Sequence, residues 1–317
     1  MEKEFVLSTM IHQQAEKYGD RAAIYGRNDE TGQWEAISWR EMDKTVEGLA
    51  AGIIGLGVKS NDRVGIFSQN MCEIIMADYA NYSAHAITVP LYATSTASQV
   101  DFIVDDSEIG IIYAGEQYQY DVALEVMKKS KYLRTIVAID PSIDLKGEKN
   151  AIRYSDLLAD GLKNPRTEEI AARKALATND DLVNILYTSG TTGNPKGVMI
   201  SHENACNQVE GNPKCEFNNL LSIATVAFDT ALEDILTGIT NGIKIIFAND
   251  SEIKNVVDLI QLIKKEKPQV MEFTPSRLLS YLEVDEFCKA INCAKCIVMG
   301  GEQFSAKAFD LVKKYCD

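Results

Sequence analysis

Apolar runs of strand length alternate with amphipathic segments of helix length along almost all of this chain, and that rhythm leaves few architectures open. Residues 63–67 (Arg-Val-Gly-Ile-Phe) read as a strand, 70–84 as a helix and 86–90 as a strand. The order continues with a helix near 98–105, a strand at 111–113, a helix near 120–129 and a strand at 135–138. Strands separated by helices line up in parallel through crossover connections. The expected fold is therefore α/β, with doubly wound, mostly parallel sheets and helices on both faces.

Local signals place further elements. Helical periodicity over 7–17 stops at Gly19, and 22–25 is a short strand. Ser38 followed by Glu41 is a capping-box signature that opens an amphipathic helix through Leu56, closed by Gly57. The segment 160–181 is polar and charged and contains Pro165, so a boundary is expected at about residue 170. It would divide a first α/β subdomain (1–170) from a second (171–317). Beyond it, Ser201 caps a helix. Residues 221–228 read as a strand, 231–240 as a helix, 244–247 as a strand, 255–266 as a helix, and 269–273 and 296–299 as strands. With 317 residues and 46% apolar content, the chain can bury cores for two such units.

The densest chemistry lies in Thr188-Ser189-Gly190-Thr191-Thr192-Gly193-Asn194-Pro195-Lys196-Gly197, directly after the apolar run 182–187. Four hydroxyls can donate to anionic oxygens, three glycines let backbone approach a ligand closely, and Lys196 supplies a compact positive charge. An exposed Ser/Thr/Gly turn is the plain alternative. A position at the carboxyl end of a strand, where open α/β sheets bind ligands, favours a phosphate grip. It is not a Walker A loop, because Pro195 precedes the lysine and Gly197 follows it.

Other function classes are disfavoured. A net charge of −14 without a polybasic stretch argues against nucleic acid. No window approaches the roughly 20 apolar residues of a transmembrane helix, and the acidic start has no apolar leader, so a cytoplasmic protein is expected. Cys288, Cys293, Cys296 and Cys316 reproduce the spacing of plant-type iron–sulfur ligands. Cys296, however, opens the run 297–299, which reads as a buried strand, and the seven cysteines are expected to be thiols. The scattered His12, His85 and His202 give no metal-ligand spacing, and no resident metal site is expected.

The stretch Tyr187-Thr-Ser-Gly-Thr-Thr-Gly-Asn-Pro-Lys-Gly-Val-Met-Ile-Ser-His202 resembles the AMP-binding signature of the acyl-adenylate-forming superfamily: acyl-CoA synthetases, adenylation domains of nonribosomal peptide synthetases and firefly-type luciferases. The resemblance implies ATP with Mg²⁺, and attack of a carboxylate on the α-phosphorus to give acyl-AMP and pyrophosphate. Thr188, Ser189, Gly190, Thr191, Thr192, Gly193 and Lys196 would then cradle the phosphates, with Lys196 and Thr188 acting on the reacting groups. The acid would be a fatty acid or an amino acid. A thiol acceptor, CoA or carrier-protein phosphopantetheine, would take the acyl group in an intact enzyme.

Three further segments fit the same resemblance. Phe228-Asp229-Thr230-Ala-Leu-Glu233-Asp resembles the adenylation motif whose aspartate meets a substrate ammonium, and implies a pocket of Asp229, Thr230, Glu233, Phe273, Val298 and Gly300. Read from the residues alone, Asp229 ends a strand at the sheet's carboxyl edge or caps the next helix. Gly300-Gly301-Glu302 resembles the family's segment near the adenine and substrate. It is also a strand-to-helix turn, with Ser305 as cap, and Thr274-Pro275 suits a helix start.

Residues 1–200 look more like a bacterial long-chain acyl-CoA synthetase and 215–317 more like a peptide-synthetase adenylation domain, which fits a chimeric origin. The chain stops before the family's aromatic-Gly-Pro-Thr-Glu segment with its Mg²⁺ glutamate, before its ribose-binding aspartate and before its C-terminal domain. The expected activity is therefore carboxylate activation impaired by truncation. The alternative is a catalytically silent nucleotide-binding or interaction module, with self-association through an uncovered edge.

Overall fold

A computed structural model describes residues 6–27, 33–188, 195–210, 217–304 and 306–313. Through the first part the order is α1 (Leu7–Tyr18), β1 (Ala22–Arg27), β2 (Trp34–Ser38), α2 (Trp39–Gly55), β3 (Arg63–Phe67), α3 (Cys72–Ser83), β4 (Ile87–Leu91), α4 (Ala97–Ser107), β5 (Ile111–Ala114), α5 (Gln117–Met127), β6 (Thr135–Ala138), β7 (Ala151–Arg153), α6 (Tyr154–Lys163) and α7 (Thr167–Leu176). It continues with β8 (Leu182–Thr188), β9 (Lys196–Ser201), α8 (His202–Glu210), β10 (Asn219–Ser222), α9 (Asp229–Asn241), β11 (Lys244–Phe247), α10 (Asp250–Lys254), α11 (Val256–Glu266), β12 (Val270–Phe273), α12 (Pro275–Tyr281), α13 (Asp285–Ile291), β13 (Cys296–Met299) and α14 (Ala306–Lys313).

The strands form two sheets, in the orders β7-β6-β5-β3-β4-β8-β9 and β13-β12-β10-β11-β1-β2. All pairings are parallel except the hairpins β1–β2 and β8–β9, as expected when helices separate most strands. Alternation along the strands divides the core. Ile111 and Tyr113 face one cluster and Ile112 and Ala114 another, while Ile245 and Phe247 oppose Ile246 in the same way. The largest cluster takes side chains from both sheets and from α1, α2, α3, α8 and α9, so these helices fill the space between the sheets. Helices α4 and α5 cover the outer face of the seven-stranded sheet, and α10 to α13 cover that of the six-stranded sheet. Doubly wound sheets with helices on both faces are therefore what this sequence forms.

Local signals hold at helix starts. The Ser38 hydroxyl accepts from the Glu41 amide while Glu41 accepts from the Ser38 amide, a reciprocal cap that stabilises α2 by about 1 kcal/mol. Those hydrogen bonds hold the Glu41 carboxyl below its usual pKa. Helices α2 and α6 cross so closely that a Cβ at Gly161 would lie 1.8 Å from the Gly48 carbonyl oxygen.

Three local expectations need correction. The strand expected over 221–228 ends at Ser222. Ile223, Val226 and Ala227 are apolar because they are buried in the connection to α9, and burial alone does not make a strand. Strands β2, β7 and β9 are additions, none of them buried enough to show a strong apolar alternation. Strand β13 is an edge strand with Val298 38% exposed, so the run from Cys296 is only partly buried.

The boundary expected near residue 170 also does not coincide with a division between sheets. Strands β1 and β2 join the sheet otherwise made after residue 218, and β8 and β9 join the sheet otherwise made before 154. The polar stretch at 160–181 reflects instead the outward faces of α6 and α7.

Candidate active site at the joined sheet edges

The carboxyl ends of the two sheets meet, and Asn70 makes the joint. It follows β3, is 2% exposed, and donates through Nδ2 to the carbonyls of Ala224 (2.7 Å) and Ala248 (3.4 Å). Its Oδ1 accepts from the Val226 amide at 3.0 Å. One side chain thus satisfies three backbone groups in the two loops that leave β10 and β11. Beside it, Tyr92 at the end of β4 packs edge-on against Phe228, with ring centroids 5.2 Å apart. Partial burial and the Asp229 charge raise the Tyr92 pKa, so Asp229 lies within electrostatic reach of the first sheet. Sequence reading missed Asn70; its signal was a polar Ser-Gln-Asn run directly after an apolar strand.

Thr188 ends β8 and Lys196 begins β9, and the two are register partners in the hairpin. Both are exposed. The pairing Thr88↔Asn184 sets β4 beside β8, which brings Tyr92 and Thr188 to the same end of the sheet. One rung in, Gly197 opposes Tyr187. A Cβ at Gly197 would lie 2.8 Å from Ile185 Cγ2 and 3.2 Å from the Tyr187 ring, so glycine is required for the side chains that cross the hairpin. The Tyr187 hydroxyl donates to Asp106 Oδ2 at 2.6 Å, which fixes the ring against α4. Burial first, and that carboxylate second, push the phenol pKa up. The expected phosphate contacts Ser189, Gly190, Thr191, Thr192 and Gly193 lie outside the described residues.

The second sheet supplies an acidic wall. Asp229 is the first residue of α9 and Phe228 is its N-cap, so Asp229 is neither a strand end nor the cap; its Oδ1 accepts from the Thr230 amide at 2.9 Å. Glu233, one turn on, accepts from Gln208 Nε2 at 2.8 Å. Phe273 departs from its expected place. It is 2% exposed and packs against Tyr281 and Phe287 in the outer core. Alternation along β12 gives the opposite face to Glu272, which sequence reading did not select although an acid inside an apolar strand was its signal. Glu272 pairs in register with Val298, and a Cβ at Gly300 would stand 3.5 Å from Glu272 Oε1. Burial, then the charges of Glu233 and Asp229, push the Glu272 carboxyl up to about 7.

Gly301 takes a left-handed conformation at φ 79°. Glu302 turns to α12, accepting from the Ser276 hydroxyl at 2.8 Å and the Ser276 amide at 3.0 Å, while Thr274 caps that helix. Those bonds hold the Glu302 carboxyl below its usual pKa. Ser305 lies outside the described residues. Cys288 and Cys293 donate their thiols to the carbonyls of Leu282 and Pro268. Cys316 also lies outside the described residues.

A family model described as "AMP-binding enzyme" matches residues 11–317. This chain belongs to the AMP-binding enzyme family. Among relatives of this AMP-binding chain, the long-chain-fatty-acid–CoA ligase FadD15 of Mycobacterium bovis is 32% identical over 180 residues, 57% of this chain and 29% of the ligase. Tyrocidine synthase 3 of Brevibacillus parabrevis is 26% identical over 314 residues, 97% of this chain and 4% of the synthase. The chain thus spans less than a third of the curated relatives it matches. In fold it superposes on the anthranilate CoA ligase AuaEII in complex with anthranoyl-AMP, with TM-score 0.84 and 15% identity over 100% of this chain and 59% of that one. The N-terminal domain of FACL13 from Mycobacterium tuberculosis gives TM-score 0.76 and 21% identity over 99% of this chain and 74% of that one. The described fold is the N-terminal core of an ATP-using, adenylate-forming family. Among the described residues no helix is long and apolar enough to cross a membrane.

Proposed function

We propose that this chain activates a carboxylic acid with ATP. A carboxylate oxygen attacks the α-phosphorus, a new C–O–P linkage forms, the bond between the α-phosphorus and the bridging oxygen breaks, and pyrophosphate leaves. ATP enters as its Mg²⁺ complex, a substrate that brings its own metal. The observation that carries the reading is the meeting of the sheet edges. The Thr188–Lys196 rung ends one sheet, and through Tyr92 and Phe228 that edge adjoins the Asp229, Glu272 and Gly300 wall of the other.

The difficulty of the reaction is bringing two anions together, so positioning and charge neutralisation supply most of the catalysis. Lys196 stands exposed with no ion pair among the described residues, available to the charge that accumulates on the departing pyrophosphate. Thr188 is a hydroxyl donor on the same rung. The acid binds along the second wall, at Thr230, Glu233, Val298 and Gly300, and Gly300 and Gly301 let the nucleotide approach the backbone closely. Transfer of the acyl group to a thiol, CoA or a carrier-protein phosphopantetheine, follows where the remaining parts of such an enzyme are present.

ATP–pyrophosphate exchange against a panel of fatty acids and amino acids tests the proposal, with nucleotide binding measured on the same sample. Acid-dependent exchange is the expected result. Nucleotide binding without exchange for any acid would overturn it in favour of a nucleotide-holding lobe.

A further inference from the structure

The short segment between β3 and α3 leaves the first sheet, yet it is fitted to the second at two points. Asn70 gives its whole side chain to that sheet, with Nδ2 on the carbonyls of Ala224 and Ala248 and Oδ1 on the Val226 amide. Two residues on, Cys72 occupies the notch left by Gly26 of β1, where a Cβ would lie 2.1 Å from its sulfur. Residues 70–72 are thereby registered against β1 and against the loops that leave β10 and β11.

The acid-binding wall hangs on that registration. Ala224 and Val226 flank Thr225, so Asn70 grips both sides of the turn that leads into α9, and the Phe228 amide closes this turn on the Thr225 carbonyl at 2.9 Å. Phe228 and Asp229 follow at once, the first meeting Tyr92 of the other sheet and the second opening α9. The Thr188–Lys196 rung stays with the first sheet. The separation of rung and wall is therefore set at the joint, through a side chain only 2% exposed.

Asparagine suits this place because its amide supplies two N–H donors and an acceptor on a short stem. Aspartate would keep the bond from the Val226 amide and set a negative oxygen against two carbonyls. Alanine would leave the Val226 amide and the Ala248 carbonyl, both in buried residues, to find other partners, and the turn would have to move. The reaction tolerates little movement. A carboxylate must come within about 3–3.5 Å of the α-phosphorus, and about 1 Å of misplacement costs about 10²-fold in rate.

We propose that Asn70 is a positioning residue for adenylation: it sets how far the wall that begins at Asp229 stands from the Thr188–Lys196 rung, and it acts on the reaction only through the turn at 225–228. The inference rests on the adenylation reading and deepens it by assigning what aligns its two halves. Lys196 and the Gly300–Gly301 pair lie outside that turn, so alignment of the acid depends on Asn70 while the hold on ATP does not.

Two measurements on the full chain test this. In the first, 3-fluorotyrosine is incorporated and ¹⁹F NMR spectra are recorded, with the Tyr92 signal assigned by Tyr92→Phe and its unpacked position taken from Phe228→Ala. Asn70→Ala and Asn70→Asp are expected to move the Tyr92 signal toward the unpacked position, while that of Tyr187, fixed on α4 by Asp106, stays in place. In the second, ATP–pyrophosphate exchange is expected to lose about 10²-fold in kcat in both variants, with the KM for ATP held within about threefold. A Tyr92 signal that keeps its parent position overturns the assignment. So does a fall in kcat accompanied by a weakened KM for ATP, the mark of general loosening. Parent-like behaviour of Asn70→Asp also overturns it, since the two donated bonds would then be idle. Absence of exchange in the unaltered protein overturns the adenylation reading and with it the effect on turnover, and the NMR measurement still decides whether Asn70 sets the wall. Gly26→Ala displaces the same segment from the other side, through Cys72, and carries both measurements where the Asn70 variants fold poorly.

Discussion

Thr188 and Lys196 are partners on the last rung of the β8–β9 hairpin, so a hydroxyl and an ammonium group leave adjacent strands about 5 Å apart at the exposed end of the sheet. Lys196→Ala is expected to lower ATP–pyrophosphate exchange by about 10²–10³-fold, the usual effect of losing one preorganised group that stabilises developing charge. Equilibrium binding should show a larger loss for ATP than for AMP. Equal losses for the two nucleotides would count against contact with the departing phosphates.

Gly197→Ala tests the hairpin itself. The added methyl meets Ile185 and the Tyr187 ring, so a loss of roughly 1–3 kcal/mol in urea unfolding is expected, as for overpacked sites. Tyr187→Phe removes the hydroxyl that bonds Asp106 and meets Ser107, and should cost about 1 kcal/mol.

Gly161→Ala addresses the α2–α6 crossing. A Cβ 1.8 Å from a backbone carbonyl cannot be accommodated by turning a side chain, and the helices must separate. Destabilisation above about 3 kcal/mol is expected, read as a lowered urea midpoint. Unchanged stability would place the crossing wrongly.

His202 gives the protein an acid-sensitive anchor. It is 3% exposed, its Nδ1 accepts from the Leu7 amide at 3.1 Å, and burial holds its pKa down to about 4. The unfolded chain takes up this proton near pH 6.5. Because the folded pKa lies below the unfolded one, this contribution is full above about pH 6.5 and is lost as pH falls toward 4, by roughly 3 kcal/mol in all. His202→Asn keeps an acceptor and removes the titration. Urea unfolding at pH 7.5 and pH 5 should therefore show a shallower pH dependence in the variant.

Asp78 acts with the opposite sign. It lies on α3, 6% exposed, with Oδ1 unpartnered among the described residues, and burial pushes its carboxyl up to about 7. The unfolded state ionises near pH 3.8 while the folded state keeps its proton, so stability falls as pH rises between those values. Asp78→Asn should be more stable than the parent at pH 8 by roughly 2–4 kcal/mol, and the difference should shrink toward pH 4. A constant difference across that range would mean that Asp78 does not titrate there.

The parts legible in the sequence were those in which one cause dominates. Crossover strands announced themselves through continuous apolar runs, and α2 through the Ser38–Glu41 cap, because burial on both faces and reciprocal capping leave direct marks on residue choice. The run 221–228 misled because a buried loop needs the same apolar residues as a buried strand. Strand β9 hid because Val198 and Met199 are exposed on an edge and carry little alternation. At the site, the difference between Phe273 and Glu272 is one residue of register, which reverses the face a side chain presents; parity along a four-residue strand is fixed only when its neighbours are known. Asn70 was invisible for a related reason, since its three partners lie more than 150 positions away.

The interleaving of the two sheets sets an order of events during synthesis. Ile24 on β1 finds its parallel partner Ile245 only after the intervening 220 residues have been made, roughly 10–40 s of translation. The seven-stranded sheet has all its strands by Ser201, well before that. A nascent chain therefore carries the β1–β2 hairpin with an unpaired, apolar edge for much of its elongation, while the rest of the first sheet can already close. That open edge is the aggregation risk of synthesis, so yield in a host cell is expected to rise with the supply of holding chaperones more than with the final stability of the folded protein.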